Sequence, residues 1–411
     1  MRGVWGRPVF AHPPSADKFR VNVVQVCDAR DDDSSTAAGI KNFFSCFSVP
    51  CSYNIFEPIT FTMSMKRTSI ALFISIFFFA CNNKKSNAPD VSNIKVDMIL
   101  ERFDRDFFAI DTNNISADLD KLYNKYPSLT PIFLQNVLGL DSAATIPGVR
   151  SFISTTKKSD LYSTVNNVFK NTNKLEQDFK NAFQYVKYYF PAYKLPGNII
   201  TIAGPVDAMA QSESGPTPNF LTPDFLGISL QFYLGKNFPL YSEPFFIENV
   251  APEFRSRRFS KEYIIGDAMQ LIVNDIFPSK NGGKPLVEQM VEKGKSWYLL
   301  DKFLPTTPDS VKTGYTQQQL NWCNENEGLI WGYIIKNEDL YSLTPSVIQT
   351  YIGEGPFTQG FSQELSPGNL GQWLGWQIIK KFVSKNPNMK PEEIMNTEAK
   401  KILDEAKYRP K

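Results

Sequence analysis

Lys261-Glu-Tyr-Ile-Ile-Gly-Asp-Ala-Met-Gln-Leu-Ile-Val-Asn-Asp-Ile-Phe277 is apolar around most of a helical circumference. Ile264, Ile265, Ala268, Met269, Leu271, Ile272, Val273 and Ile276 leave no wide polar face, so the spacing predicts a buried helix over 261–277. Asp267, Gln270 and Asn274 nevertheless fall at i, i+3 and i+7, on one line of that helix. A polar line on a buried helix is costly unless every group finds a partner. It reads as a hydrogen-bonded structural network, as a solvent-facing strip, or as part of a site.

Working outward, further helices are predicted over 285–303, 316–335, 345–352, 369–384 and 391–406, with prolines 278, 305, 308, 345, 367, 387 and 391 at their boundaries. Gly294 sits in the interior of the first of these, where it costs about 1 kcal/mol against alanine. Close packing against another helix accounts for it. Upstream, short helices are expected over 116–126 and 131–138, and a long one over 159–190 that Asn171-Thr-Asn173 divides. Strand signals are the alternation of Ile94, Val96 and Met98, the run Asn198–Ile202, and the stretch 225–234; residues 204–223 read as loop. Together these predict an α+β domain over 94–411, mostly helical with a small sheet. Gly282-Gly-Lys-Pro285 lacks the preceding strand and the Ser/Thr of a phosphate loop and is read as a turn between helices.

The N-terminal part follows different rules. Met65-Lys-Arg opens a short cationic stretch, an uncharged and mostly apolar run from Thr68 to Ala80 follows, and Cys81 closes it. A thirteen-residue helix spans roughly 20 Å, short of the roughly 30 Å hydrocarbon core. Residues 65–80 are therefore read as a cleaved lipoprotein signal peptide, with Cys81 the lipid attachment site carrying diacylglycerol and an amide-linked chain such as palmitate. Residues 81–93 form a polar tether. A signal is read from the start of a chain, so residues 1–64 are expected to be a spurious extension, with Met65 the true start.

Composition removes several chemistries. The sequence has one histidine, His12, and residues 81–411 have none. That excludes Ser-His-Asp and Cys-His nucleophile systems and His-bearing zinc sites from that part. Cys81 and Cys323 are its only cysteines, so no disulfide framework is expected. Its 36 basic and 36 acidic residues balance, and no dense cationic run marks a nucleic-acid site. Carboxylates, lysines and tyrosines remain. Trp322, Trp331, Trp373 and Trp376, with Gly371 and Gly375, read as packed helix contacts, although ligand clefts use the same residue types.

Glu101-Arg-Phe-Asp-Arg-Asp-Phe-Phe108, Met290 to Pro305, Gly314-Tyr-Thr316 to Trp331, and Pro367-Gly368 to Ile379 are long, collinear and peculiar in composition. With the lipoprotein start, they resemble the GldB family of gliding-motility lipoproteins from about Met65 to the C-terminus. The resemblance implies a membrane-anchored component of the gliding and associated secretion machinery, partnered by other proteins of that machinery. Such chains are in turn distantly similar to zinc peptidases with a His-Glu-x-x-His helix and a Glu-Gly on the next. In the best register Gly266, Asp267 and Gln270 fall on that pentapeptide and Lys293 on the glutamate. A glycine supplies no ligand and an ammonium repels a dication, so the resemblance implies a degenerate, zincin-like core: a pseudoenzyme with no catalytic residue, no metal and no cofactor.

Two alternatives stay open: a hydrolase using Asp267 and another carboxylate, and a periplasmic ligand-binding lipoprotein. A second carboxylate about 5–9 Å from Asp267 in an open cleft favours hydrolysis. Residues 82–86 lack the acidic pair that in this group of bacteria often directs lipoproteins outward, so the domain is expected to face the periplasm. Mass spectrometry of the membrane fraction should find a chain beginning at an acylated Cys81. Cys81→Ala should leave it unprocessed, and an unmodified Cys81 in a chain starting at Met1 would contradict the lipoprotein reading.

Overall fold

The computed structural model describes residues 88–212 and 215–410. Residues 1–64, the 65–80 signal, Cys81 and the first part of the tether lie outside the described residues, as does His12. Among the described residues no helix is long and apolar enough to cross a membrane.

A small mixed sheet and a set of helices share one continuous buried core. β1 (Ile99–Arg102), β2 (Asn198–Ile202), β5 (Asn219–Leu221) and β6 (Phe225–Ser229) form a sheet in the order β1-β2-β6-β5. β1 pairs parallel with β2 and β2 with β6, whereas β5 and β6 are antiparallel. β6 is buried throughout and β2 nearly so, as expected of inner strands. β3 (Ala210–Ser212) and β4 (Gly215–Thr217) make a separate short hairpin.

The alternating Ile94–Met98 stretch is not a strand; pairing starts at Ile99, where β2 first offers backbone partners. The expected 204–223 loop holds β3, β4 and β5, each three residues long, too short to show a period in sequence. Directly after β1 the chain enters a helix over Phe103–Phe108. Arg102 grips the buried Asp104 carboxylate at 2.6 and 2.8 Å, and the Thr201 hydroxyl donates to the same carboxylate at 2.5 Å. Phe103 and Phe107 stack, and both meet Phe133 edge-on. The charged, aromatic run at 101–108 is thus a strand-to-helix corner.

Five helices position the rest: α1 (Asn173–Tyr189), α2 (Ile264–Ile276), α3 (Leu286–Phe303), α4 (Pro345–Ile352) and α5 (Leu370–Lys385). The 159–190 region divides at the expected place, and two further predicted helices are each two. Residues 159–190 split into Asp160–Val168 and α1, with the Asn171 side chain accepting from the Asn173 backbone in the gap. Residues 316–335 split at Asn326, and 391–406 split around Thr397 into Pro391–Asn396 and Ala399–Ala406. The helix Thr145–Lys158 has no counterpart in the sequence reading.

α3 and α5 cross with their backbones in contact. A Cβ on Gly375 would lie 1.7 Å from the Met290 carbonyl oxygen, and one on Gly294 would lie 2.1 Å from the Gly375 carbonyl carbon. A Cβ on Gly371 would meet the Tyr351 carbonyl oxygen of α4 at 2.9 Å. Trp376 flanks the crossing, its indole N–H donating to Asp301 at 2.9 Å and its ring meeting Trp297 edge-on.

Gly375→Ala should therefore destabilise the protein by about 3 kcal/mol or more, because both neighbouring atoms are backbone and cannot rotate away. Gly332→Ala, in an exposed helix with nothing within 4 Å of the added methyl, should stabilise by about 1 kcal/mol. Urea denaturation of both variants checks the pair, and equal effects would contradict the crossing.

Candidate functional site

α2 packs beside α3, and the groove over them is a cleft of about 500 Å³. Gly266, Asp267, Gln270 and Asn274 of α2 line it, as do Glu292, Lys293 and Ser296 of α3, and Gln372 of α5. The polar line on α2 thus faces this cleft, and the four positions Gly266, Asp267, Gln270 and Lys293 lie on it together.

Asp267 sits low in the cleft, only partly accessible. The Tyr233 hydroxyl donates to its Oδ2 at 3.0 Å and accepts from Asn219 Nδ2 at 2.7 Å. Tyr233 is fully buried, and burial with the adjacent carboxylate holds its hydroxyl proton far above the ordinary tyrosine range. Burial pushes Asp267 up to about 6, against the opposing pull of Arg258 and the Tyr233 hydrogen bond; Glu354 adds to the rise. Gln270 donates from Nε2 to Asn274 Oδ1 at 2.8 Å and to Ser296 Oγ at 2.6 Å, tying α2 to α3. Gln372 donates to the Lys293 carbonyl at 3.3 Å.

The other cleft carboxylates are engaged. Glu354 takes Arg258 at 2.7 Å on one oxygen and Arg255 on the other; burial would raise it, but the two guanidiniums hold it below the ordinary range. Glu292 accepts from Lys284 at 3.0 Å and Lys295 at 3.1 Å. Lys295 is itself buried and donates to the Met395 and Thr397 carbonyls, and burial lowers its pKa. Asn281, also in the cleft lining, has a buried Oδ1 that accepts from no donor among the described residues.

The donor set does not suit a metal. Gly266 offers no ligand, and a Cβ there would already press on the Val311 carbonyl at 3.2 Å. Gln270 is a carboxamide turned toward Ser296, and Lys293 is a cation. Among the described residues no group of three or more His, Cys, Asp and Glu is placed to hold an ion.

Tyr233, Asn219, Arg258, Glu354, Ser296 and Gln372 were not legible as site residues. Tyr233 lies in the 225–234 stretch read as strand, and the other five come from five separate segments joined only by the fold. The tryptophans divide: Trp373 and Trp376 are buried in the core, whereas Trp322 packs on Phe361 and Trp331 on Tyr408, away from the cleft.

Fold and cleft together define a mostly helical α+β protein whose cleft is built from carboxamides, hydroxyls and ion-paired carboxylates. Residues 84–410 match the model of the family described as gliding motility protein GldB, a lipoprotein family by its label, and the chain belongs to that family. Neither a curated protein nor a solved structure matches it.

Because the Asp267 pKa is raised on folding, the protonated form is the one the fold favours. Its burial costs nothing below about pH 4, and the cost grows as pH rises to about 6 and is complete above that. Asp267→Asn should match the parent in stability at pH 4 and exceed it at pH 8 by on the order of 2–3 kcal/mol. Denaturant midpoints at the two pH values check this, and a variant less stable at pH 8 would contradict it.

Proposed function

We propose that this protein is a lipid-anchored, non-catalytic component of the gliding motility and associated secretion machinery, its cleft serving to bind rather than to cleave. The observation that carries the reading is the match to the gliding motility family over 84–410; a cleft in which Gly266 offers no ligand and Lys293 is a cation supports it. The anchor is Cys81, reached from the folded part through the polar residues 82–93, with translation starting at Met65 and the domain on the periplasmic side. Its partners are other proteins of the machinery and the bilayer that takes the acyl chains.

Hydrolysis through two carboxylates has one point in its favour, the raised Asp267 in a solvent-connected cleft. Against it, Glu354 and Glu292 are each held by two cations, leaving neither free to act as the paired acid or base.

Deleting the gene should abolish colony spreading, and a copy with Asp267→Asn should restore it at normal protein levels, since the amide keeps shape and an acceptor. The purified protein, prepared without added zinc, should contain well below one equivalent. Loss of spreading with normal levels of the Asp267→Asn protein, or tightly held zinc surviving chelator, would overturn the non-catalytic reading.

A further inference from the structure

The floor of the cleft keeps hydrogen-bonding capacity that the fold does not use. Among the described residues, Asp267 accepts from Tyr233 on Oδ2 alone, leaving Oδ1 without a donor there. Gln270 spends its Nε2 on Asn274 and Ser296, and no described residue donates to its Oε1. Asn274 accepts on Oδ1, and its Nδ2 group donates to no described residue. All three side chains are partly accessible and line the same cleft. Two acceptors and then a donor therefore run along one helix line. From Asp267 to Asn274 that line rises about 10 Å, the length of three residues of extended chain at about 3.3 Å each.

Building on the binding role proposed for this cleft, we infer that it takes an internal, extended peptide segment of about three residues. Main-chain N–H groups face Asp267 Oδ1 and Gln270 Oε1, and a main-chain carbonyl faces Asn274 Nδ2. Carboxamides are peptide-like donors and acceptors and read backbone rather than side chains, so affinity should depend little on sequence. A glycan offers comparable length, but sugar recognition draws on an open aromatic face. The rings at this cleft are already engaged: Trp297 with Tyr315 and Trp376, Phe259 with Phe232 and Tyr241, and Phe277 with Phe190.

The test is equilibrium dialysis of the full chain in detergent against a mixed-sequence hexapeptide pool, acetylated and amidated at its ends, read by mass spectrometry. The same pool with free termini and cellohexaose serve as comparison probes. Retention of capped peptides is expected, falling at least tenfold in Asn274→Ala and in Gln270→Ala, with circular dichroism and denaturant midpoints confirming that both variants fold. Absence of retention, retention unchanged in both folded variants, stronger retention of free-ended than capped peptides, or retention of cellohexaose alone would each overturn it. Colony spreading by the deletion strain reports on the motility role independently of the dialysis result.

Discussion

At the crossing of α3 and α5, Gly294 and Gly375 bring two helix backbones to a separation that no side chain permits. Hydrogen at these positions is the condition for the contact, because the atoms an added methyl would meet are carbonyl carbons and oxygens fixed by their own helices. Everything on the exposed side of α3 is placed by that contact. Glu292, Lys293 and Ser296 can face α2 because the opposite side of their helix, at Met290 and Gly294, lies flush on α5. The penalty of a glycine inside a helix is offset by packing that larger residues would forbid.

The cleft shows how an apolar helix carries polar residues at low cost. α2 buries Ile264, Ala268, Met269, Ile272 and Val273 in the core and turns Asp267, Gln270 and Asn274 to the groove. Each polar side chain satisfies part of its hydrogen-bonding capacity within the protein and keeps the rest toward solvent, so none carries the full penalty of an isolated buried group. Ion pairing is heavier at the cleft walls. Arg255, Arg258 and Glu354 form one cluster, and Lys284, Lys295 and Glu292 another, each with one cation in excess, and they leave Asp267 as the carboxylate governed by burial.

The chain belongs to the gliding motility family, and its cleft presents Asp267, Gln270 and Asn274 beside two ion-paired clusters. The α3–α5 crossing lies on the side of α3 turned away from α2, and Trp297, which meets Trp376 edge-on, reaches from it to the cleft lining.

The helix at 264–276, its polar line, the helices at 286–303, 345–352 and 370–385 and the close approach required by Gly294 were all legible in the sequence. They depend on periodicity, on proline boundaries and on the intrinsic cost of an interior glycine, each of which acts within a few residues. The lack of histidine from residue 13 onward likewise excluded His-bearing zinc sites from that part by composition alone. Tertiary structure alone decided the rest. β3, β4 and β5 exist because neighbours supply backbone partners to three-residue segments with no period of their own. The partners of Asp267, Tyr233 and Asn219 behind it and Arg258 and Glu354 beside it, come from segments 34 to 87 residues away in some cases. Burial, not residue type, sets the Asp267 pKa, and burial is a property of the assembled core.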